Sequence, residues 1–176
     1  VICDQFGLFI NDKVLQFSNI SFDASVEEIF PALIVGGNLI LRSNSIPTAS
    51  QLLEQVAREK ITVLDLPTAY WHILIEALSV EDIKDSLLRL VVVGGEKESV
   101  ESLIKWNQVA TSEQLWINTY GPTEATIIST IYEPIERKAD LSEVPIGRPI
   151  TNAQIYILES YKQLVPIGVS GEIYIG

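Results

Sequence analysis

The chain has 176 residues, with 12 Lys and Arg against 23 Asp and Glu for a formal net charge of −11, and its 47% hydrophobic content is ample for a packed core. That acidity repels nucleic-acid phosphates and anionic lipid surfaces, so neither a nucleic acid nor a membrane is an expected partner. One cysteine, Cys3, and one histidine, His72, exclude a disulfide framework and a Cys/His zinc centre.

Strand-like and helix-like segments alternate along the chain, the order expected of an α/β sheet with crossover helices. Residues 14–17 form a short apolar run. Phe22-Asp23-Ala24-Ser25 then supplies N-cap candidates for a helix with Val26, Ile29, Phe30 and Leu33 at helical spacing, ended by Gly36-Gly37. Residues 38–41 read as a strand, Pro47-Thr48-Ala49-Ser50 opens a helix, and the β-branched run 61–66 is a strand stopped by Pro67. The unit repeats: helix at 70–78, strand at 90–93 broken by Gly94-Gly95, helix at 100–106, strand at 115–119, and strand at 127–132 after a Gly-Pro turn. Beyond about residue 134, prolines and glycines punctuate short β runs at 153–158 and 172–175. The expected division is therefore an α/β unit over 1–133 and the start of a β-rich unit over 134–176. No apolar run approaches the roughly 20 residues of a membrane span and no basic leader pattern opens the chain, so a cytoplasmic location is expected. A first residue Val1 and a last residue Gly176 inside a strand-like run lead us to expect a piece of a longer polypeptide.

The stretch Asn118-Thr119-Tyr120-Gly121-Pro122-Thr123-Glu124 follows a strand predicted to be buried, and open α/β sheets bind ligands at the carboxyl ends of their strands. Its ring, amide, hydroxyl and carboxylate suit a nucleotide: Tyr120 for stacking, Asn118 for a base edge, Thr123 for a phosphate, and Glu124 for Mg²⁺, which prefers oxygen ligands. A tight turn built from Asn, Gly and Pro for backbone reasons accounts for the same residues. Gly94-Gly95-Glu96 closes the neighbouring strand, either to let a ligand approach the backbone or simply as a strand-to-helix turn. Neither a Walker phosphate loop nor a dinucleotide fingerprint is present. His72 has no motif partner and is given a structural role. Three carboxylates stand out: Asp23 and Glu27 lie one helical turn apart, and Asp65 interrupts the apolar run Val63-Leu64-Asp65-Leu66, where a lone charge costs several kcal/mol to desolvate. An N-cap for Asp23, a solvated face for Glu27 and a backbone-bonded strand end for Asp65 are the plain alternatives.

Together these segments resemble the adenylation domain of nonribosomal peptide synthetases, within the adenylate-forming, acyl-activating superfamily. The likeness rests on Leu15-Gln16-Phe17 with Ser21-Phe22-Asp23-Ala24-Ser25-Val26-Glu27-Glu28-Ile29-Phe30, Val93-Gly94-Gly95-Glu96, the stretch from Asn118 to Glu124, Val144-Pro145-Ile146-Gly147-Arg148-Pro149, and Gly171-Glu172-Ile173-Tyr174-Ile175-Gly176. The resemblance implies a flavodoxin-like, mostly parallel sheet with flanking helices, followed by the start of a small β-barrel-like subdomain. It implies formation of an aminoacyl-AMP from ATP, Mg²⁺ and an amino acid, and transfer of the acyl group to the phosphopantetheine thiol of a carrier domain. Expected partners are the amino acid, the peptidyl carrier and condensation domains of the same synthetase, and a small activating protein.

By the same likeness Thr123 and Glu124 are catalytic, with Glu124 the metal ligand, and Gly94, Gly95, Glu96, Asn118, Tyr120, Gly121 and Thr123 hold the nucleotide. Asp23 would pair with the substrate α-ammonium. The amino-acid pocket would be Asp23, Ala24, Glu27, Asp65, Val92, Gly94, Thr119, Ile127 and Ile128. Many members carry Trp where this chain has Glu27, so two acids enter an otherwise small, apolar pocket, and a cationic substrate side chain would relieve both their repulsion and their desolvation. A basic amino acid is expected, lysine ahead of ornithine or arginine. The family's phosphate loop and C-terminal catalytic Lys fall outside the chain, so the isolated fragment is expected to be inactive. The competing readings are an acyl-CoA-synthetase-like enzyme, against which an α-amine anchor at Asp23 argues, and a non-catalytic ligand-binding module.

Overall fold

Near-continuous apolar runs mark strands buried on both faces, and the central strands obey that rule: Leu90, Val91, Val92 and Val93 are all fully buried. The computed structural model describes residues 1–134 and 141–176. In chain order it contains α1 (Ile2–Gln5), β1 (Lys13–Gln16), α2 (Ala24–Ile34), β2 (Asn38–Leu41), α3 (Ala49–Glu59), β3 (Val63–Pro67), α4 (Thr68–Ala77), α5 (Val80–Lys84), β4 (Leu90–Gly94), α6 (Val100–Val109) and β5 (Leu115–Tyr120). After a 3-10 turn at Thr123–Ala125 come β6 (Thr130–Tyr132), β7 (Arg148–Pro149), β8 (Ile155–Leu158) and β9 (Glu172–Ile175).

The sheet order is β2-β1-β3-β4-β5-β6-β7, parallel through β5 and antiparallel at β6 and β7. The parallel part has the 2-1-3-4-5 order of the flavodoxin-like fold, whose crevice opens where the chain reverses direction between β1 and β3. On one face Leu15, Leu64, Leu66, Val91, Val93 and Trp116 meet α3, α4, α5 and α6, with Trp71 and Trp106 edge-on at 5.6 Å between centroids. On the other, Val14, Val63, Leu90, Val92 and Ile117 pack under α1 and α2 through Phe6 and Ala32.

Local chemistry explains the element ends. Thr48 and Gln51 form a reciprocal capping box at the start of α3, where Pro47 and Thr48 signal a helix. Asp23 occupies the N-cap position of α2, but its carboxylate makes no cap hydrogen bond. The strand expected over 127–132 starts only at Thr130, because Thr126 and Ile127 adopt φ of 64° and 73°, outside the β region. β7 pairs with β6, so the main sheet continues past the expected division at 133/134, and the separate antiparallel pair β8-β9 begins at Ile155. Residues 135–140 of the expected β-rich unit lie outside the described residues.

Candidate functional site

A cavity of about 790 Å³ opens at the carboxyl ends of β1, β3, β4 and β5. Register builds its floor: Pro67 pairs with Gly94 and Gly94 with Thr119, one pleat beyond Asp65 and Val92, so these residues share the sheet face that α2 covers. The first turns of α2 supply the opposite wall through Asp23, Ala24 and Glu27, and the loop after β5 supplies Gly121, Pro122, Thr123, Ile127 and Ile128. Across the mouth, the Thr123 hydroxyl donates to the Asp23 carboxylate, residues a hundred positions apart in sequence. This contact replaces the cap that Asp23 does not make.

The acids behave differently from one another. Glu28, 1% exposed, accepts the Ser18 amide at 2.8 Å and the Gln16 side-chain amide at 3.1 Å. Burial raises its pKa, and those hydrogen bonds pull it back. Glu27, the next residue, is 8% exposed with Oε1 shut off from solvent and without a hydrogen-bond partner. Burial first, then the charges of Asp65, Asp23 and Glu28, push its carboxyl up to about 10. The Asp65 side chain is only partly covered, yet its Oδ2 is likewise enclosed and unpartnered. Desolvation and then Glu28 raise its pKa well above the carboxylate range. The cavity therefore contains two carboxyl groups with unmet acceptors, a costly arrangement unless something else satisfies them.

The structure brings Asp23, Ala24, Glu27, Asp65, Gly94, Gly95, Glu96, Thr119, Gly121, Thr123, Ile127 and Ile128 onto one cavity. Four expected site residues fall elsewhere. Val92 is fully buried beneath the floor, and Asn118 turns its amide Nδ2 onto the Pro145 carbonyl at 2.8 Å, leaving Oδ1 buried without a partner. Tyr120 and Glu124 are exposed just outside the cavity. The glycines have local reasons as well. A Cβ on Gly94 would lie 2.3 Å from Thr119 Oγ1, Gly95 takes φ of +94°, and a Cβ on Gly121 would lie 2.3 Å from the Ile127 carbonyl.

Two features were not expected from sequence. Glu28 is a buried brace holding Ser18 at the end of β1, and His72 meets the buried Glu98 at 3.0 Å, giving the structural role assigned to His72 a partner. Burial raises the Glu98 pKa against the pull of the Ser99 amide and His72. Glu28 sits within the matched motif and could have been flagged as a carboxylate inside an amphipathic helix; nothing local marks Glu98. No group of three or more His, Cys, Asp or Glu side chains is arranged to hold a metal among the described residues, and no helix among them is long and apolar enough to cross a membrane.

Comparison with known proteins matches residues 2–176 to the family described as AMP-binding enzyme. The chain belongs to this family. It is 37% identical over 166 residues to gramicidin S synthase 1 of Brevibacillus brevis, covering 94% of this chain and 14% of that protein. With tyrocidine synthase 1 of Brevibacillus parabrevis it shares 35% identity over 174 residues, 98% of this chain and 15% of that protein. The NpsA N-terminal subdomain of Klebsiella oxytoca, solved with 3-hydroxybenzoyl-AMSN, superposes with a TM-score of 0.84 at 28% identity, covering 98% of this chain and 43% of that one. The family member described here thus spans less than half the length of these relatives, and its α/β architecture with the small antiparallel pair is that of the NpsA subdomain.

Proposed function

We propose that this chain is the substrate-selecting part of an amino-acid-activating adenylation domain, and that the amino acid is basic, lysine first. The observation that carries the reading is the pair of enclosed, unpartnered carboxyl oxygens, Glu27 Oε1 and Asp65 Oδ2, on one cavity with Asp23. A side-chain ammonium seated there would donate to both and allow Glu27 to ionise, and Ile127 and Ile128 offer apolar surface to its methylenes. Asp23 would hold the α-ammonium, exchanging the Thr123 hydroxyl for the substrate. Relatives named as gramicidin S and tyrocidine synthases support an amino acid as substrate, and a neighbour described as an artificially fused adenylation–PCP di-domain supports a carrier domain as acceptor.

ATP fits the residues present. Gly94, Gly95 and Glu96 line the cavity and offer it a main-chain edge, and the unpartnered Asn118 Oδ1, buried outside the cavity, is an acceptor of the kind an adenine amino group needs. Tyr120 would stack on the base, the freed Thr123 hydroxyl would donate to the α-phosphate, and the exposed Glu124 carboxylate would hold Mg²⁺. ATP with Mg²⁺ supplies the adenylyl group: the substrate carboxylate oxygen bonds to the α-phosphorus as pyrophosphate leaves. A carrier thiol then takes the acyl group and AMP departs. The residues of this chain orient the two reactants, so that their encounter is in effect unimolecular.

The test is amino-acid-dependent ATP–pyrophosphate exchange by the complete adenylation domain with lysine, ornithine, arginine, leucine, phenylalanine, glutamate and 3-hydroxybenzoate. Lysine should give the highest kcat/KM, and Glu27→Gln or Asp65→Asn should lower it about tenfold or more, the loss expected for a hydrogen bond to a charged group. Preference for leucine, glutamate or the aryl acid would overturn the basic-substrate reading.

A further inference from the structure

The wall formed by residues 94–98 crosses from β4 to α6 as an exposed loop at Gly95, Glu96 and Lys97, yet two side chains from a different element grip it. Thr68, the first residue of α4, is fully buried, and its hydroxyl is not spent on capping its own helix. It reaches the Gly94 carbonyl at 3.0 Å and the Glu96 carbonyl at 3.2 Å, one proton shared between two acceptors. One helical turn later on the same face, His72 Nε2 lies 3.0 Å from Glu98 Oε1, and that same oxygen accepts the Ser99 amide at 2.8 Å where α6 begins. From the other flank, the Thr119 hydroxyl donates to the Val93 carbonyl at 3.2 Å, and Gly94 lacks the Cβ that would strike it.

We propose that the amino-terminal end of α4 is a positioning clamp: Thr68 and His72, placed by their i and i+4 spacing, fix both ends of segment 94–98 and thereby set the shape of the cavity wall that ligands meet. Neither residue needs to touch a ligand for this, so both are positioning residues. Gly95 lies in the left-handed region, and among the described residues the segment's other side-chain tethers are the exposed Lys97–Glu143 pair and, at the start of α6, the Ser99 amide and Ser102 side chain on the Glu98 carboxylate. A wall that drifts by an ångström misplaces whatever rests on it, an error to which catalytic sites are steeply sensitive. The kinetic consequence rests on the adenylation reading; the mechanical one does not.

Amide hydrogen exchange read by mass spectrometry tests the clamp directly. Thr68→Val should speed exchange across 94–98 about tenfold, the effect of losing one net hydrogen bond, while amides in the middle of α4 keep their protection. Thr68→Ser should restore it. His72→Ala should loosen the Glu98 end, and His72→Gln, which returns a donor near the Nε2 position, should tighten it again; this pair decides the matter if Thr68→Val does not fold. In pyrophosphate exchange by the complete domain, Thr68→Val should raise KM for ATP and amino acid more than it lowers kcat, with rescue by Thr68→Ser. Unchanged exchange at 94–98 in both Thr68→Val and His72→Ala, or no rescue by serine, would overturn the clamp. Silent pyrophosphate exchange in the unsubstituted domain would instead sink the adenylation reading, with amide exchange still deciding the clamp.

Discussion

The two ends of one parallel sheet treat buried carboxylates in opposite ways. At the amino ends of β1, β3 and β4, Asp12 is fully buried and fully paired. Two of the Arg89 side-chain nitrogens grip it, Nε at 2.8 Å from Oδ1 and Nη2 on Oδ2, while Thr62 Oγ1 donates at 2.7 Å and the Phe9 amide at 2.9 Å. Burial alone would raise its pKa, but these donors outweigh burial and hold the carboxyl below its ordinary value. At the carboxyl ends of the same strands, Glu27 and Asp65 are enclosed without partners, and their pKa values go up. The chain satisfies Asp12 and Glu28, which brace the fold, and leaves Glu27 and Asp65 without partners where the crevice opens, the pattern expected when a ligand completes the site.

The comparison breaks most dramatically at Arg89. Arg89→Met would strand the Asp12 charge in the interior and should cost about 3–5 kcal/mol in urea unfolding at pH 7. Because the Asp12 pKa is lowered, its contribution is present above the ordinary value of 3.8 and lost as pH falls through the folded value, so the gap between wild type and Arg89→Met should narrow in acid. A gap that stays constant down to pH 3 would show that Arg89 acts only through its packing on the Phe9 ring.

At the other end the sign reverses. The Glu27 carboxyl rises from 4.5 to about 10, so the folded chain is disfavoured progressively as pH climbs above 4.5. Glu27→Gln should therefore stabilise the unliganded chain, by about 2–3 kcal/mol at pH 7 and by almost nothing at pH 4.5. Thermal or urea unfolding at the two pH values measures it, and a destabilising Glu27→Gln at pH 7 would mean that the carboxylate has a partner in solution. The smallest effect is Thr62→Val, which removes one donor to Asp12 and the acceptor of the Lys13 amide; about 1.5–2 kcal/mol is expected, lessening in acid as Asp12 protonates.

Much of this contrast was legible in sequence at one end and not at the other. Asp65 stood out as a charge within an apolar strand, and Glu27 as an acid one turn from Asp23. Asp12 gave no such sign. It lies in a turn of ordinary polarity, and its partners Thr62 and Arg89 are 50 and 77 residues away, brought together because each precedes a parallel strand. That the loop after β5 borders the crevice was legible from its position at a strand's carboxyl end, but the left-handed Thr126 and Ile127 were not, since β-branched residues carry no local preference for that conformation. It accompanies the close crossing of Gly121 over Ile127 and Ser129, a tertiary contact.

Periodicity, strand composition and turn residues determined by themselves the alternation of elements, the parallel core and the line of ligand-competent loops, because each follows from local backbone preference and from which side chains avoid water. The tertiary structure alone decided which polar groups are satisfied. Hydrogen-bond satisfaction depends on neighbours that are distant in sequence, so it alone could turn Asp23 from a helix cap to the Thr123 hydroxyl, swing the Asn118 amide onto Pro145, and leave Glu27 and Asp65 at the crevice without a protein donor.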